Sequence, residues 1–229
     1  MNGDREAILG RVTEALRETA PKHHETMTKP GTHSVTAPFR EWMPPVGESP
    51  DDRVAAFAKL SEMLRTEFKV CDSLSAAAKH IATLASEGGW KTLALHGGTL
   101  NDAIATELPP SLSLLWIEAG YDRDALEACD AGLTECESLV AQTGSACVTA
   151  LSSGGRTLSV LPPHHIIIAR KEQLVSDLPA AYERLAKKYG SDYPSFAGFI
   201  TGPSRTGDIE RILVLGAHGP KKLTVLLVP

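Results

Sequence analysis

The sequence lacks the features that most directly reveal a protein's chemistry. Its four cysteines, Cys71, Cys129, Cys136 and Cys147, include no C-x-x-C pair, the spacing by which iron–sulfur and structural zinc sites usually take two ligands from one turn. The eight histidines include no HExxH motif, and adjacent histidines point to different faces of a strand or helix. We therefore expect free thiols, and neither a metal site nor an iron–sulfur cluster, in this chain.

Long apolar runs and basic runs are missing as well. No apolar stretch approaches the roughly 20 residues that a membrane helix needs, and the first residues mix acids and bases without the apolar core of a signal peptide. The formal net charge is -5, and a chain without clustered Lys and Arg is a poor candidate for nucleic-acid binding. The expectation is a cytoplasmic protein with no membrane span and no nucleic-acid partner.

What the sequence does contain is an alternation of helical and strand-like segments. Its 229 residues, 42% of them hydrophobic, are enough for one large α/β domain. Helices that fall between strands are typical of parallel pairing with right-handed crossovers. After about Leu133 the strands follow one another with little helix between them, which indicates an antiparallel excursion. The predicted fold class is α/β, with a Rossmann-like, mostly parallel sheet and an antiparallel excursion.

The individual elements follow from hydrophobic spacing, capping residues and turn residues. The predicted strands are Phe68–Cys71, Lys91–His96, Ser111–Ile117, segments within Leu139–Ala150 and Leu158–Arg170, and two strands that close the sheet, Phe196–Thr201 and Leu223–Val228. The first helix of this domain is predicted to begin at Asp51 or Asp52 and to run to about Phe68. A second begins after the capping residue Ser73. Three more are predicted at Thr99–Leu108, Asp122–Cys129 and Glu172–Tyr189.

The first 50 residues have a different character. Arg5–Glu18 has helical spacing, whereas Ala20–Pro50 is rich in Pro, Thr and His without a period and indicates an irregular arm. The larger apolar side chains of the arm are Phe39, Trp42 and Met43. These side chains need a surface on which to be buried, either on the main body or on a neighbouring subunit, and we expect the arm to be mobile in the isolated chain and to become ordered against a partner. The predicted organisation is an N-terminal helix and arm over 1–50 and an α/β domain over 51–229.

The most informative loop follows the apolar segment Phe196–Thr201. It comprises Gly202, Pro203, Ser204, Arg205, Thr206, Gly207, Asp208, Ile209 and Glu210. The glycines permit tight turns, and the hydroxyls and the guanidinium are hydrogen-bond donors. A strand-to-helix turn at the carboxyl edge of a sheet also leaves free backbone N–H groups for an anion. The pattern predicts an anion-binding site; the alternative is a capping turn whose polar side chains satisfy backbone groups.

Two further clusters contain candidate residues. Thr143, Gly144 and Ser145 precede a β run and form either a second close-approach site or only a tight turn. Glu137 lies just upstream, and a carboxylate can act as acid, base or nucleophile. His218 lies between two glycines and can carry a proton, because imidazole titrates near neutrality; it suits a simple turn equally well. Glu137 and His218 are therefore the candidate catalytic residues.

These loops resemble a known family. The segment Gly202–Glu210, followed by Leu213–Pro220 and a terminal apolar strand, looks like the closing motifs of the lactate-utilization protein C family, which is built on a LUD domain. Val140–Ser145 and Leu161–His164 resemble the middle motif of that family, and the resemblance covers nearly the whole chain. Two positions depart from it: Ser145 stands where the family more often has Thr, and Gly207 where it more often has Ala.

The resemblance implies a fold similar to the sugar-isomerase, CoA-transferase and formyltetrahydrofolate cyclo-ligase group. It also implies a role beside two companion proteins in oxidising L-lactate to pyruvate, with iron–sulfur clusters carried at least partly by those companions. The expected function is thus a non-redox subunit or accessory that binds a small anion through residues 202–210. The alternative is a stand-alone enzyme that acts on a sugar phosphate, a CoA thioester or a folate-like anion.

Overall fold

The structure is a computed structural model that describes residues 8–11, 13–14, 17, 45–117, 122–207, 213–215 and 218–229. The chain divides into two units, Met1–Phe39 and Arg40–Pro229. Every described residue of the first unit is helical, in agreement with the predicted helix Arg5–Glu18. Most of the predicted arm, with Phe39, Trp42 and Met43, lies outside the described residues. All helices and strands named below belong to the second unit.

A six-stranded sheet forms the body of the second unit. Its strands are β1 (Glu67–Val70), β2 (Thr92–Leu95), β3 (Ser113–Trp116), β4 (Ala131–Glu135), β7 (His164–Arg170) and β12 (Lys222–Val228), in the spatial order β1-β12-β7-β4-β2-β3. Every neighbouring pair is parallel. The two strands β7 and β12 are buried along nearly their whole length, as expected for parallel strands that are covered on both faces.

Within the part of the second unit that the structure describes, five α-helices connect or cover the strands. They are α1 (Pro50–Leu64), α2 (Leu74–Gly88), α3 (Thr99–Ala105), α4 (Arg123–Glu127) and α5 (Leu178–Tyr189). The first helix begins with a capping box between Ser49 and Asp52 and ends at Leu64, because Arg65 has a left-handed backbone with φ 61. Ser73 caps α2 as predicted. Among the described residues, we find no helix with the length and apolar character needed to cross a bilayer.

A second sheet of four strands confirms the predicted antiparallel excursion. It contains β5 (Ser138–Val140), β6 (Ser145–Thr149), β8 (Leu174–Val175) and β9 (Ala197–Ile200), in the order β8-β5-β6-β9. The pairs β5–β6 and β6–β9 are antiparallel, whereas β5–β8 is parallel. The short strands β10 (Arg205–Gly207) and β11 (Leu213–Leu215) form a separate antiparallel pair.

Three element predictions were wrong. The central strand β4 was not predicted, and the segment 196–201 supplies β9 of the second sheet instead of joining the main one. The predicted helix Glu172–Tyr189 begins only after Asp177, which caps α5, because Lys171–Gln173 is a 3-10 turn and the next two residues form β8. For 196–201, hydrophobicity along the chain indicated a buried strand but not the sheet in which it pairs.

The strand β7 separates two apolar cores. Ile166 and Ile168 point into the core that α2 and α3 cover. Ile167 and Ala169 point the other way, into the core that contains Phe57 of α1 and the inner residues of the second sheet. The second sheet and α1 therefore pack on one face of the main sheet, where their loops can reach both of its edges.

Candidate functional site

The turn Thr143–Ser145 and the loop after β9 meet in the structure. Ser145 Oγ and Thr201 Oγ1 are 2.8 Å apart and share a hydrogen bond, although the two residues are 56 positions apart in the sequence. Gly144 has φ 64, and a Cβ atom at this position would lie 2.9 Å from Leu64 Cδ1. The turn therefore packs directly on the last turn of α1 and needs glycine there. Two clusters that the sequence presents separately form one surface at the end of α1.

Arg205 holds the second loop to the same helix end. Its side chain is exposed, and Nη2 donates to the Leu64 carbonyl oxygen. Gly202, with φ 87, brings the backbone so close that a Cβ atom would lie 3.0 Å from the same oxygen. A guanidinium that caps the carboxyl end of a helix stabilises the turn, so Arg205 does contribute to the stability of this loop. A guanidinium has five N–H groups, and the hydrogen bond to Leu64 uses only part of them.

Two features of the predicted site geometry are corrected by the structure. Ser204 N donates to Pro220 O at 2.9 Å, just before β12, and Leu64 lies just before β1. The loop therefore lies at the edge where the main strands begin, not at their carboxyl edge. In addition, Thr206 pairs with Val214 within β10 and β11, so a strand follows where a helix N-terminus was expected. Asp208 and Glu210 lie outside the described residues.

Three buried hydroxyl groups surround this end of α1. Ser61 Oγ, Thr66 Oγ1 and Thr143 Oγ1 have no hydrogen-bond partner within the part of the chain that the structure describes. Ser61 and Thr66 are joined through the backbone, where Thr66 N donates to Ser61 O at 2.8 Å. Buried hydroxyls are normally hydrogen-bonded, and each of these can donate to an acceptor that enters the site.

A cavity of about 390 Å³ is lined in part by the same loop, through Gly202, Pro203 and Ser204. Its polar or charged lining residues are Arg156, Ser159, His165 and Ser204, and most of the others are apolar, among them Phe196, Phe199, Ile200, Pro203 and Leu223. Arg156 donates from Nη2 to Ser195 O at 2.9 Å and lies 5.5 Å above the centre of the Phe196 ring. The cavity therefore suits a small molecule with an apolar body.

His218 lies close to the loop but projects to the surface. It is exposed, and its neighbour Gly219 would place a Cβ atom 3.0 Å from Ser204 Cβ. The turn that holds His218 thus packs against the loop, and the structure brings the two C-terminal motifs together. No described residue forms a hydrogen bond with the His218 ring that would orient it for proton transfer.

Glu137, in contrast, is a buried and fully hydrogen-bonded carboxylate. It is 3% exposed. Oε2 accepts from Lys188 Nζ at 2.7 Å, and Oε1 accepts from Tyr189 OH at 2.6 Å and Thr149 Oγ1 at 2.9 Å. Burial raises the pKa of the carboxyl, but these hydrogen bonds outweigh burial and place the pKa below its ordinary value. Burial lowers the pKa of Lys188, and the bond to Glu137 more than reverses this.

The position of Glu137 separates it from the loop. Its partner Thr149 ends β6, whereas Ser145, which contacts the loop, begins that strand. Four residues of extended chain span roughly 13 Å. An ionised carboxylate whose oxygens are already occupied is a weak base and has no proton to give. The structure thus does not bring Glu137 together with Arg205, and it gives Glu137 the surroundings of a structural anion.

The adjacent histidines at the start of β7 lie inside the fold. His164 Nε2 is 2.8 Å from Thr224 Oγ1, and His165 Nε2 is 2.9 Å from Thr134 Oγ1. Burial, and then the charge of Lys222, lower the pKa of His164 to about 4. Burial and the neighbouring His164 lower the pKa of His165 to about 3. Both rings are therefore neutral structural groups near neutral pH.

One polar cluster was not predicted from the sequence. Residues 96–101 follow β2 and contain His96 and Asn101, both buried, and Glu135 lies beside them at the end of β4. The available signal was the double glycine, Gly97-Gly98, directly after a buried strand, a pattern that by itself predicts only a turn. Across the described residues, no group of three or more His, Cys, Asp or Glu is arranged to hold a metal ion.

Comparisons with known proteins agree with the motifs. The family model described as the LUD domain matches residues 54–228. Lactate utilization protein C of Geobacillus thermodenitrificans is 28% identical over 201 residues, which cover 82% of this chain and 83% of that protein. The Shouchella clausii protein of the same name is 34% identical over 122 residues, which are 52% of this chain and 53% of that protein.

A solved structure supports the fold. The crystal structure of a DUF162 family protein from Deinococcus radiodurans has a TM-score of 0.63 and 21% sequence identity. The match covers 80% of this chain and 100% of that one. Together with the parallel main sheet and its antiparallel excursion, this likeness confirms the predicted α/β class. The chain belongs to the LUD domain family, and the resemblance to lactate utilization protein C that its loop motifs indicate is confirmed by these relatives.

Proposed function

We propose that this chain is a non-redox subunit or accessory protein of an L-lactate oxidation system. Two companion proteins would carry the iron–sulfur clusters. The support is the likeness to proteins named lactate utilization protein C along 82% of this chain, together with cysteines that are all buried and free. A buried thiol with a raised pKa, such as Cys129 at about 11, is a poor cluster ligand because the ligand is the thiolate.

The ligand of this chain is a small anion, a carboxylate or a phosphate. The observation that supports this best is the meeting of the Thr143–Ser145 turn with the Gly202–Arg205 loop. Both segments contact the last turn of α1, where Arg205 is exposed and where Ser61, Thr66 and Thr143 have hydroxyl groups without a hydrogen-bond partner among the described residues. Guanidinium and hydroxyl groups together provide the charge-assisted hydrogen bonds that carboxylates and phosphates require. The cavity that the same loop lines in part offers space for an apolar part of the ligand.

The alternative of a stand-alone enzyme that uses Glu137 is less well supported. Its carboxylate accepts three hydrogen bonds and is paired with Lys188. It lies at the opposite end of β6 from the anion-binding loop. A free-standing enzyme would need another group for acid–base chemistry.

Complex formation is tested by capturing the tagged full-length chain from cells of its own organism that grow on L-lactate. We expect two companion proteins to co-purify in amounts comparable to the chain, and to be absent when the tag is on an unrelated protein. Recovery of the chain alone from cells that oxidise lactate would contradict the proposal.

Arg205 provides the test of the anion site. Arg205→Ala should weaken the binding of L-lactate or inorganic phosphate, measured by calorimetry, about ten- to a hundredfold, because a charge-assisted hydrogen bond contributes roughly 1.5–3 kcal/mol. Arg205→Lys should restore only part of the affinity, since an ammonium cannot form two parallel hydrogen bonds. Thermal stability should fall modestly, because the bond to Leu64 is lost.

Arg170 supplies a matched control. It also donates to a main-chain oxygen, that of the terminal residue Pro229 at 3.1 Å, but at the opposite edge of the main sheet. Arg170→Ala should therefore lower stability by a similar amount and leave anion affinity unchanged. If Arg205→Ala behaves in the same way, Arg205 only braces the turn and the anion site is elsewhere.

Because the iron–sulfur clusters are proposed to belong to the companion proteins, we expect the purified chain to be colourless. Anaerobic reconstitution with iron and sulfide should leave no stoichiometric iron on it, because its cysteines lack paired spacing and are buried. Elemental analysis after desalting measures this directly. A content of about four irons per chain, the amount in one cubane cluster, would overturn the assignment of the clusters to the companions.

A further inference from the structure

The order in which strands are added to the main sheet reverses between β2 and β4. The chain leaves β2 through α3 toward β3 on one side, whereas it leaves β4 through the second sheet toward β7 on the other side. The strands β2 and β4 are neighbours. In open parallel sheets, the carboxyl ends of two strands whose connections diverge border a crevice where ligands bind. This place lies at the edge opposite to the anion-binding loop.

His96 follows β2 at this crevice, and its geometry defines which ring nitrogen is free. Nδ1 is 2.9 Å from the carbonyl oxygen of Gly97. A carbonyl only accepts, so Nδ1 donates to it, and in this tautomer Nε2 presents a lone pair. The side chain is 5% exposed, and Nε2 has no hydrogen-bond partner among the residues that the structure describes.

The surroundings keep the ring in one orientation. Gly154, with φ 61, packs on the base of the ring, and a Cβ atom there would lie 2.6 Å from His96 Cβ and 3.2 Å from its Cδ2. On the other side, a Cβ atom at Gly98 would lie 3.5 Å from His96 Cε1 and would overlap the Glu135 carboxylate. Both glycines are thus needed for close packing, and Nε2 remains at the tip of the ring.

A second buried acceptor lies in the same turn. Asn101 is fully buried, and its Nδ2 donates to His96 O at 3.0 Å, whereas its Oδ1 has no partner among the described residues. Glu135 Oε1 accepts from the backbone N–H groups of Leu100 at 2.7 Å and Asn101 at 3.2 Å. The Glu135 carboxylate is therefore held beside this turn, and both unpaired atoms can act as acceptors.

We propose that this crevice is a second small-molecule site, in which His96 Nε2 and Asn101 Oδ1 accept hydrogen bonds from a non-anionic ligand that carries hydroxyl or ammonium hydrogens. Two unpaired acceptors require a ligand with donors, since leaving a buried acceptor unpaired is costly. The carboxylates of Glu135 and Asp102, which accepts from Gly98 N at 3.2 Å, disfavour an anion here. The two edges of the sheet therefore bind ligands of different charge.

The test is a ¹⁵N spectrum of the full-length chain labelled at histidine, with the His96 signal assigned through its loss in His96→Phe. The probes are glycerol, ethanolamine and, as the anionic control, acetate. We expect glycerol or ethanolamine to displace the Nε2 resonance of His96 saturably, and acetate to leave it unchanged. The proposal is overturned if no probe moves the resonance, because then at most a bound water satisfies Nε2. Displacement by acetate would overturn the ligand class.

A stability comparison separates a ligand-binding histidine from a structural one. His96→Phe keeps the ring shape and removes an unpaired acceptor, so its melting temperature should fall less than that of the matched variant His165→Phe, which leaves Thr134 without its partner. A loss in His96→Phe as large as in His165→Phe, together with an insensitive Nε2 resonance, contradicts the site. If His96→Phe does not fold, the titration of the unaltered chain, with assignment by Asn101→Ala, decides alone. These outcomes are independent of Arg205 and of the anion site.

Discussion

Replacing Glu137 with alanine is expected to lower the free energy of unfolding by about 1–3 kcal/mol, the usual cost of leaving a buried hydrogen-bonding group without its partner, because the Lys188 side chain is 54% exposed and keeps much of its hydration. The substitution leaves three donors, Lys188 Nζ, Tyr189 OH and Thr149 Oγ1, without their acceptor. It also detaches the end of α5 from the second sheet, because Lys188 and Tyr189 are the last two residues of that helix. Urea unfolding, followed by circular dichroism, measures the loss.

The appropriate controls come from the same helix and the same site. Glu183 is exposed on α5, and Glu183→Ala should change the unfolding free energy by no more than about 0.5 kcal/mol. Glu137→Gln keeps one acceptor oxygen and should be intermediate. A double variant with Lys188→Met should recover part of the lost stability, because no ammonium group is then left without its carboxylate. If Glu137→Ala kept its stability but abolished L-lactate oxidation by the three proteins combined, Glu137 would again be a candidate catalytic residue.

Acidification from pH 7 to pH 5 is expected to destabilise the protein strongly. His164 and His165 have folded-state pKa values of about 4 and about 3, against an ordinary value of 6.5. Below pH 6.5 the unfolded chain therefore binds protons at these histidines that the folded chain does not bind, so the free energy of unfolding falls as the pH falls. Each histidine contributes about 1.4 kcal/mol per pH unit in this window, or roughly 2 kcal/mol between pH 6.5 and pH 5.

The pH window distinguishes the histidines from the carboxylate. Glu137 has a folded pKa below its ordinary value of 4.5, so its contribution is complete above that value and is lost only at lower pH. A variant with both His164→Gln and His165→Gln retains hydrogen-bonding groups but does not titrate, and its unfolding free energy should be much less dependent on pH between 7 and 5. Equal unfolding free energies of the unaltered chain at pH 7 and pH 5 would show that these rings are accessible to protons in the folded state.

The sequence was sufficient to predict the fold class because α/β alternation is local. Capping residues such as Ser73 and apolar runs such as His164–Arg170 locate elements without knowledge of their neighbours. The strand β4 was missed because Ala131–Glu135 is short, contains Gly132 and is buried on both faces, so no alternation of polar and apolar residues marks it. Gly132 itself allows close packing: a Cβ atom there would lie 2.7 Å from Leu158 O.

The assignment of strands to sheets was beyond the sequence. Phe196–Thr201 is as apolar as a main-sheet strand, yet β9 pairs with β6, and hydrophobicity cannot distinguish between two sheets that share one core. The same limit affected the predicted anion site. Gly202 and Arg205 were identified by composition, but their position at the amino edge depends on long-range contacts with Leu64 and Pro220.

The candidate residues divide along similar lines. Thr143–Ser145 and Gly202–Arg205 were predicted as two clusters, and only the fold shows that Ser145 and Thr201 are bonded. Glu137 was a catalytic candidate because a carboxylate has no visible partner in the sequence. Two of its three hydrogen-bond partners lie on α5 and the third, Thr149, ends β6. His96 was not predicted as a site residue, because a single histidine before two glycines has no distinctive spacing. Its burial and its unpaired Nε2 depend on the three-dimensional structure.

The central proposal is that this chain serves L-lactate oxidation without carrying a redox centre. The most direct measurement is the rate of L-lactate oxidation, followed with an artificial electron acceptor, for the chain alone, for the two companion proteins alone, and for all three together. The account predicts no turnover by the chain alone and full turnover only with the three proteins combined. Lactate oxidation by the purified chain alone, or undiminished oxidation by the companions without it, would contradict the account.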